Sequence, residues 1–187
     1  MDLLKPFRIL WQRITRQGLR PTAWWAADHA VRILLGAPIR RVSQIVPQLY
    51  IGGQHRRHGL SRMKERGISA VVNMRIEFDD APAGLTFDRY LHLPTVDDHA
   101  PTLEHLRQGV DFITAEFRRG GVVYIHCGSG IGRAATMAAA YFVSTGQTPE
   151  EAWATIRRVR PFIRPTPPQL QQLERFAAQL ETDSDQT

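Results

Sequence analysis

The sequence predicts an α/β sandwich, in which a central and mostly parallel sheet is flanked by helices. Short runs rich in β-branched residues, such as ISAVVNM (68–74) and VVYIH (122–126), alternate along the chain with stretches of helical periodicity. Alternation of this kind is typical of parallel strands joined by helices. The clearest helical stretch has its apolar side chains on one face, namely Leu103, Leu106, Val110, Ile113 and Phe117.

The first hundred residues contain several further predicted elements. LLKPFRILWQRI (3–14) has apolar residues at helical spacing, and TAWWAADHAVRILLG (22–36) forms a second predicted helix that ends at Gly36. The remaining elements are two short strands on either side of Pro47, a short helix over 59–67, strands over 68–74 and 89–94, and a loop over 75–88.

The second half of the chain is predicted to be mainly helical around one strand. Thr102 is a good N-cap for the amphipathic helix, because its hydroxyl can accept a hydrogen bond from the first helical turn. The strand over 122–126 follows. Further helices are predicted from Arg133 to Gly146, over 148–160 and over 167–180.

The net positive charge is concentrated at the N-terminus. Residues 1–41 contain eight basic and two acidic residues of the 24 basic and 18 acidic in the chain, so the rest has sixteen of each sign. This asymmetry separates a basic, amphipathic helical extension over 1–41 from a charge-balanced domain over 42–181. Residues 182–187 are predicted to form a flexible tail.

Composition restricts the class of protein and its compartment. One cysteine excludes an internal disulfide framework and indicates a reducing compartment. No apolar run reaches the ~20 residues of a membrane-spanning helix, and arginines interrupt any apolar centre of a secretory signal. We therefore expect a cytoplasmic protein, either free or peripheral at the inner face of the membrane.

The single cysteine, Cys127, lies between the strand over 122–126 and the helix that begins at Arg133. Ligands of open α/β sheets bind at such strand ends. The three glycines that follow, Gly128, Gly130 and Gly132, let the backbone curl so that several N–H groups point inward. At a helix N-terminus this arrangement binds anions and favours the thiolate form of the cysteine.

Arg133 completes a pattern suited to phosphoryl transfer. Its planar guanidinium can bind a phosphate through two hydrogen bonds. A thiolate under a phosphate held in this way is a nucleophile. The alternative is a buried cysteine beside an ordinary glycine turn.

These residues resemble a known family. His126-Cys127, five residues and Arg133 resemble the signature loop of cysteine-dependent protein tyrosine phosphatases, and three other stretches are similar to its dual-specificity branch. The resemblance extends from about residue 42 to residue 180. Those stretches are VPQLYIGG (46–53), LHLPTVDDHAPTLEHL (91–106) and RPFIRPTPPQLQQLERF (160–176), of which the last two lean toward the lipid-directed subgroup typified by mitochondrial phosphatidylglycerophosphate phosphatase.

The resemblance implies a mechanism and a set of site residues. Cys127 would attack phosphorus to form a cysteinyl-phosphate, and Asp97 would protonate the leaving oxygen and then activate water. Asp98 is the rival general acid. His126 would orient the loop and support the thiolate, and no metal or other cofactor is implied. The phosphate oxygens would be bound by the backbone of Gly128, Ser129, Gly130, Ile131, Gly132 and Arg133 and by the Arg133 side chain.

One position departs from the family pattern. The family usually has serine or threonine directly after the arginine, whereas this chain has Ala134. That hydroxyl is thought to stabilise the thiolate as it leaves in the second step. The departure leaves open a catalytically weak phosphate-binding module. Ser129 is a candidate substitute, whereas Thr136 should point elsewhere on the helix.

Substrate and partners are less determined than the chemistry. The resemblance implies either a phosphorylated protein, as for a dual-specificity phosphatase, or a phospholipid such as phosphatidylglycerophosphate or a phosphoinositide. No nucleic acid is expected. The arginines at 75, 157, 158, 160 and 164 either surround the cleft and favour acidic substrates or form a solvated face.

The N-terminal extension has two interpretations. Its basic residues and Trp11, Trp24 and Trp25 suit an anchor on an anionic membrane surface. Alternatively, these aromatic residues pack on the domain as an extra helical layer. Elsewhere in the chain, the histidines at positions 55, 58, 92, 99 and 105 are predicted to be surface or loop residues.

Overall fold

The structure is a computed structural model that describes Trp11, Ile14, Thr15 and residues 17–184. The helix predicted over 3–14 lies mostly outside these residues, although Trp11 and Ile14 have helical backbone. Within the described part of the chain, the helices are α1 (Leu19–Leu35), α2 (Leu60–Lys64), α3 (Leu103–Arg118), α4 (Arg133–Ser144), α5 (Pro149–Val159) and α6 (Pro167–Ser184). The strands are β1 (Gln44–Val46), β2 (Leu49–Gly53), β3 (Ile68–Arg75), β4 (Arg89–Thr95) and β5 (Val122–Cys127).

The five strands form one sheet in the order β1-β2-β5-β3-β4. Strand β5 lies in the middle and pairs in parallel with β2 and β3, and β4 extends the parallel part. Only the short β1 runs antiparallel, against β2. The predicted fold class, a mostly parallel sheet flanked by helices, is therefore confirmed.

Both faces of the sheet are buried, which explains why its strands read as nearly continuous apolar runs. Because side chains alternate along a strand, Val123 and Ile125 point into a large core with α3, α4, α5 and α6. Tyr124 points to the opposite face, where a smaller core includes Met63 of α2 and Phe87.

Several predicted boundaries depend on identifiable caps. Thr102 accepts a hydrogen bond from the His105 backbone N–H at 3.0 Å, as expected for the N-cap of α3. Helix α1 ends at Gly36, whose φ of 70° is left-handed and whose N–H donates to Arg32 O at 3.0 Å. Helix α6 continues to Ser184, three residues into the segment predicted as a tail, and residues 185–187 lie outside the described part.

Helix α1 packs on the domain and also keeps an exposed apolar surface. Asp28 and Arg32 are 1 % and 5 % exposed, whereas Leu19 and Leu34 are 72 % and 73 % exposed. The buried face agrees with the interpretation of the extension as a helical layer on the domain, and the membrane interpretation stays a prediction. In the described residues, no helix is long and apolar enough to cross a membrane.

Candidate active site

The carboxyl ends of β2, β3 and β5 meet at one edge of the sheet, and Cys127 lies there. Cys127 is paired with Gly53 of β2, and the preceding His126 is paired with Asn73 of β3. The loop 128–132 then turns into α4, so its backbone N–H groups lie at the N-terminus of that helix. The N–H of Gly130 points at Cys127 Sγ, with a distance of 3.2 Å between nitrogen and sulfur.

The turn of this loop requires glycine at position 130. Gly130 has φ of 69°, a left-handed conformation that other residues rarely adopt. A Cβ there would also overlap the backbone of Gly52 at the end of β2. The glycine therefore lets the loop lie directly against the neighbouring strand and direct the Gly130 N–H at the thiol.

Arg160 fixes the outer side of the loop. Its Nε donates to Gly130 O at 2.7 Å and its Nη2 donates to Ser129 O at 3.1 Å. The guanidinium is buried, and its charge is balanced by Asp28 of α1, whose Oδ2 lies 3.2 Å from Nη2. Neither alternative predicted for residue 160, the rim of the cleft or a solvated face, is correct, because this side chain is 0 % exposed and binds loop carbonyls instead.

Arg133 is held by two carboxylates at the mouth of the site. Its Nη1 and Nη2 donate to the two oxygens of Glu77 at 2.8 and 2.9 Å, and Nη2 lies 2.8 Å from Asp97 Oδ1. Nη1 also donates to Thr95 O at 2.7 Å. The hydrogen bond from Arg133 lowers the pKa of Glu77 to about 2, so this carboxylate is ionised at neutral pH.

Asp97 and Asp98 differ in where they lie. The Asp97 carboxylate is 77 % exposed and reaches Arg133 at the mouth. Asp98 has φ of 59°, and its carbonyl accepts a hydrogen bond from Thr166 at 2.9 Å, which turns the chain toward α6. The structure thus brings together Cys127, Arg133 and Asp97, and it shows no such contact between Asp98 and Arg133 in the part of the chain that it describes.

His126 belongs to a buried network behind the nucleophile. Its Nε2 lies 2.7 Å from Asp80 Oδ2, and both side chains are 0 % exposed. Asp80 Oδ1 accepts a further hydrogen bond from Gln54 at 2.8 Å. Bonds to His126 and Gln54 lower the pKa of Asp80 despite the opposing effect of its burial. The carboxylate therefore fixes the orientation of the His126 ring.

His55 also lies in this network, which corrects its assignment as a surface or loop histidine. Only 1 % of its surface is exposed, and its Nε2 donates to Leu85 O at 2.7 Å. Burial and the nearby His126 ring lower the pKa of His55 to about 4. Donor atoms of His55, Asp80 and His126 lie within 4.8 Å of one another, which is close enough for them to hold a metal ion.

The comparisons with known proteins agree with this geometry. The family model described as the dual specificity phosphatase catalytic domain matches residues 49–179, which include β2 to α6 and the whole loop around Cys127. The chain belongs to the dual-specificity phosphatase family. Members of this family are cysteine-dependent phosphatases, as the signature loop predicts.

Curated relatives in the dual-specificity phosphatase family include lipid and protein phosphatases by name. Human phosphatidylglycerophosphatase and protein-tyrosine phosphatase 1 is 41% identical over 92 residues, which are 48% of this chain and 46% of that protein. Human dual specificity protein phosphatase 1 is 28% identical over 147 residues, covering 78% of this chain and 38% of that protein. The chain thus spans less than half the length of the curated relatives cited here.

Solved structures of the family support the same relationship. A crystal structure of PTPMT1 superposes with a TM-score of 0.68 at 28% identity, covering 78% of this chain and 99% of that one. PTPMT1 in complex with PI(5)P gives a TM-score of 0.67 at 29% identity, covering 75% and 96%. These matches support the lean toward the PTPMT1-like subgroup of the family.

The departure from the family pattern at Ala134 is visible in the structure. Ala134 is fully buried in the first turn of α4, directly after Arg133. Thr136 does not replace the missing hydroxyl, because its Oγ1 donates to Gly132 O at 3.1 Å. The backbone of Ser129 is held in place because its carbonyl oxygen accepts a hydrogen bond from Arg160.

Sequence reasoning missed three acidic residues of the dual-specificity phosphatase site: Asp28, Glu77 and Asp80. Glu77 and Asp80 lie in the 75–88 loop, which directly follows β3. A signal was present for that loop, because β3 neighbours β5 and its carboxyl end must lie beside Cys127. No local signal connects Asp28 to Arg160, which are 132 residues apart.

Proposed function

We propose that this chain hydrolyses phosphomonoesters through a cysteinyl-phosphate intermediate, as a dual-specificity phosphatase. The observation that carries the proposal is the position of Cys127 Sγ, 3.2 Å from the Gly130 N–H and under the same loop that begins α4 with Arg133. A backbone N–H directed at the nucleophile, at a helix N-terminus and beside a guanidinium, suits the binding of a transferring phosphoryl group.

In the first step the Cys127 thiolate attacks phosphorus and the bond to the leaving alcohol breaks. N–H groups of residues 128–133 and the Arg133 guanidinium hold the phosphoryl oxygens. Asp97 gives its proton to the leaving oxygen, because it is the exposed acid at the mouth of the site. His126, oriented by Asp80, supports the loop from behind.

In the second step water hydrolyses the cysteinyl-phosphate. Asp97, now a carboxylate, takes a proton from the attacking water, and phosphorus transfers from sulfur to that oxygen. The products are inorganic phosphate and the free thiolate. Ala134 offers no hydroxyl to stabilise that thiolate, so we expect this step to be the slower one.

The test is Cys127→Ser measured with p-nitrophenyl phosphate. We expect turnover to be lost while inorganic phosphate still binds, because the loop remains and only the nucleophile is removed. Iodoacetate should inactivate the wild type near neutral pH through the same thiol. Substantial turnover by Cys127→Ser would rule out this nucleophile.

Phosphoproteins and phospholipids are both substrate classes of named relatives, and one feature favours a phospholipid at a membrane surface. Exposed apolar side chains adjoin the two acidic residues that contact Arg133: Ile76, 55 % exposed, precedes Glu77, and Val96, 47 % exposed, precedes Asp97. Leu34 of α1 is also exposed. Apolar side chains around a basic site suit an interface with an anionic bilayer.

The substrate test compares phosphatidylglycerophosphate and phosphoinositides in vesicles with a panel of phosphopeptides. We expect higher kcat/KM for a lipid, and weaker binding to anionic vesicles when Leu34 is replaced by Gln. Ala23→Gln, an exposed substitution on the same helix, is the matched control. A higher kcat/KM for phosphopeptides, together with no binding to vesicles, would instead favour a protein-phosphatase function.

A further inference from the structure

A cavity of about 350 Å³ lies between the first turns of α1, the short turn over 40–42 and the end of α5. We call it the Trp24 cavity, after the partly buried indole in its wall. None of the described residues that line it belongs to the catalytic loop over 128–132. Most of them precede residue 49, where the match to the dual-specificity phosphatase domain begins, so the cavity depends on chain outside that domain.

Three arginines give the Trp24 cavity a positive charge. Arg20, Arg41 and Arg158 line it, all three are exposed, and no described residue of the lining is acidic. None of the three forms an ion pair with an acidic residue in the part of the chain that the structure describes. Because like charges repel each other, an anion placed between these guanidinium groups is stabilised by all of them.

Contacts with neutral groups position two of these guanidinium groups without compensating their charge. The Arg41 guanidinium lies over the ring of Trp24, 5.6 Å from its centroid. Arg158 Nη2 donates to Thr155 Oγ1 at 3.0 Å. A guanidinium carries several N–H donors, so further donors remain for a ligand. An anion that binds here meets side chains that are already partly ordered, which lowers the entropic cost of binding.

The donors and the size of the Trp24 cavity favour a small phosphate compound. Guanidinium groups bind phosphate oxygens through paired hydrogen bonds, and several of them together suit an anion with more than one negative charge. A volume of about 350 Å³ lies at the lower end of the range for small-molecule sites, roughly 300–1,000 Å³. Pro21 and Val159 add apolar surface against which a small carrier of the phosphate can pack.

The three chain segments around the Trp24 cavity also hold Arg160. Pro161, a lining residue, directly follows it in the chain. Val42 O, from the turn over 40–42, accepts a hydrogen bond from Arg160 Nη1 at 2.8 Å. From α1, Asp28 Oδ2 lies 3.2 Å from Arg160 Nη2. A ligand that draws the three segments together therefore stabilises the position of Arg160.

Arg160 connects the Trp24 cavity to the catalytic loop. Its guanidinium donates to Gly130 O at 2.7 Å and to Ser129 O at 3.1 Å, and the Gly130 N–H is directed at Cys127 Sγ. A ligand that binds one arrangement of a protein more tightly than others shifts the population toward that arrangement. An anion in the cavity therefore favours the arrangement in which the loop carbonyls, and with them the Gly130 N–H, are held in place.

We propose that the Trp24 cavity is an effector site, which binds a small polyvalent phosphate compound and thereby increases turnover at the catalytic loop. The effector is a different molecule from the substrate and is not cleaved, because the described lining offers no nucleophile. It is either free in solution or the headgroup of a membrane lipid. The effect on turnover rests on the proposed phosphatase function, whereas binding to the cavity does not.

Methylenediphosphonate is the probe, because it is small, polyvalent and resistant to hydrolysis, and binding to the full chain is followed by tryptophan fluorescence. We expect a saturable change in the wild type that is absent in Trp24→Phe. Arg20→Gln/Arg158→Gln removes two of the three cavity charges and keeps the contact between Arg41 and Trp24. This double variant should raise Kd at least about tenfold, as expected for the loss of one or more charge-assisted hydrogen bonds.

A matched control separates the cavity from a general effect of charge. Arg118→Gln/Arg157→Gln changes the net charge by the same amount at exposed positions outside the lining, one of them next to Arg158 on α5. It should keep the Kd of the wild type.

Kinetics measure the effect on turnover. Methylenediphosphonate can also occupy the catalytic loop, where it competes with substrate and raises KM, so the readout is kcat at saturating p-nitrophenyl phosphate. We expect kcat to rise several-fold over the concentration range in which the fluorescence changes. In Arg20→Gln/Arg158→Gln the same rise should require at least about tenfold more of the probe.

The natural source is tested with Cys127→Ser, which cannot cleave a phosphomonoester. Phosphatidic acid in vesicles of neutral lipid is compared with soluble glycerol 3-phosphate, again by the fluorescence change that depends on Trp24. Tighter binding to the vesicles indicates a lipid headgroup, and equal or tighter binding of glycerol 3-phosphate indicates a soluble compound.

Two results would overturn the proposal. One is the absence of a saturable, Trp24-dependent change with methylenediphosphonate, and the other is a Kd that Arg20→Gln/Arg158→Gln leaves unchanged. Binding without a change in kcat would overturn the effector role. If p-nitrophenyl phosphate is not hydrolysed at all, the proposed function fails, and the fluorescence titration still decides whether the cavity binds an anion.

Discussion

Glu77 and Arg133 face each other through two parallel hydrogen bonds, of 2.8 and 2.9 Å, across the mouth of the site. The arginine side chain is 1% exposed and the glutamate 39%. A two-point contact fixes the plane of a guanidinium as well as its position. Glu77 is in turn bonded to Arg75 at 2.9 Å, and Arg75 to Gln54 at 2.7 Å, so the plane is set by a chain of side chains.

We expect Glu77→Ala to reduce kcat/KM for p-nitrophenyl phosphate by about 10- to 100-fold, the worth of one or more hydrogen bonds to a charged group. The reason is that Arg133 loses the contacts that set its plane for phosphate. Steady-state kinetics measure the loss. Asp79→Ala is the control, because Asp79 lies in the same loop but binds Tyr90, at 2.6 Å. An equal effect of both substitutions would mean that only the loop conformation matters.

Asp97→Asn should lower turnover by about 10²–10⁴, which is the usual contribution of a positioned general acid. The loss should be larger for alkyl phosphates than for aryl phosphates, because a poor leaving group needs the proton more. Asp98→Asn should have a smaller effect, since the Asp98 segment is directed toward Thr166. Kinetics with a series of leaving groups check this, and the reverse order of the two variants would assign the role to Asp98.

Ala134→Ser should accelerate breakdown of the cysteinyl-phosphate by restoring the hydroxyl at the start of α4. The wild type should then show a burst of p-nitrophenol followed by slow turnover, and the variant should show a smaller burst and a faster steady state. Rapid-mixing kinetics measure both phases. A wild type without a burst, together with no gain in the variant, would show that Ala134 does not limit the reaction, and the binding-module alternative would lose its basis.

The fold was predictable because its elements are encoded locally. Apolar β-branched runs in the strands, a period of 3.6 in α3, a cap at Thr102 and a glycine at position 36 can all be recognised within a few residues of sequence. The meeting of Cys127, Arg133 and Asp97 was predictable as well, because two of them lie on one loop and the third lies in a stretch that resembles the family's general-acid loop.

The supporting residues were not predictable, because they are determined by which loops meet in space. Glu77 is 56 residues from Arg133, and Asp80 is 46 residues from His126. The periodicity of apolar residues gives no information about contacts between residues so far apart in the sequence. His55 was misassigned for the same reason: a polar residue after a strand reads as a loop residue, and only the packing of Phe87, Tyr124 and His126 around its ring makes it a core residue.

Because His55 is buried in its neutral form, we expect the protein to lose stability in mild acid. Its pKa is about 4 in the folded protein, below the ordinary 6.5, because burial and His126 disfavour the charged ring. The unfolded chain therefore binds a proton between pH 6.5 and 4 that the folded chain does not. The free energy of unfolding therefore does not depend on this ring above pH 6.5. It decreases as the pH falls from 6.5 to 4, by about 3 kcal/mol in total.

Urea unfolding at a series of pH values from 7 to 4 measures this slope. His55→Gln should be less stable at pH 7 but should show a flatter pH dependence, because an amide can still donate to Leu85 O and does not titrate. His58→Gln, at an exposed position of the same segment, should keep the wild-type slope. A slope that is equal in His55→Gln would assign the pH dependence to other groups.

From the contacts of Asp28 we expect α1 to be required for the stability of the protein and for the geometry of the catalytic loop. This buried carboxylate contacts Arg160 at 3.2 Å and Arg32 at 3.3 Å, and it accepts a hydrogen bond from Ile39 N at 3.1 Å. Asp28→Asn keeps the shape and the bond to Ile39 but leaves two buried guanidinium groups without a counter-charge. Removing one partner of a buried ion pair typically costs about 3–5 kcal/mol, which lowers Tm by on the order of 10 °C in a domain of this size.

The same substitution should also reduce turnover while the protein is still folded. Arg160 donates hydrogen bonds to Ser129 O and Gly130 O. In the variant the Arg160 guanidinium is no longer attracted by a carboxylate and is expected to shift. The two carbonyls would move with it, and this would change the direction of the Gly130 N–H toward Cys127. Calorimetry gives Tm, and p-nitrophenyl phosphate kinetics at 15 °C give kcat/KM below the unfolding transition. Asp111→Asn, an exposed acid on α3, is the control. Deleting residues 1–40 should lower both Tm and kcat/KM because it removes Asp28, whereas deleting residues 1–18 should leave both unchanged. If Asp28→Asn has the Tm and the turnover of the wild type, α1 only covers the domain and does not support the catalytic loop.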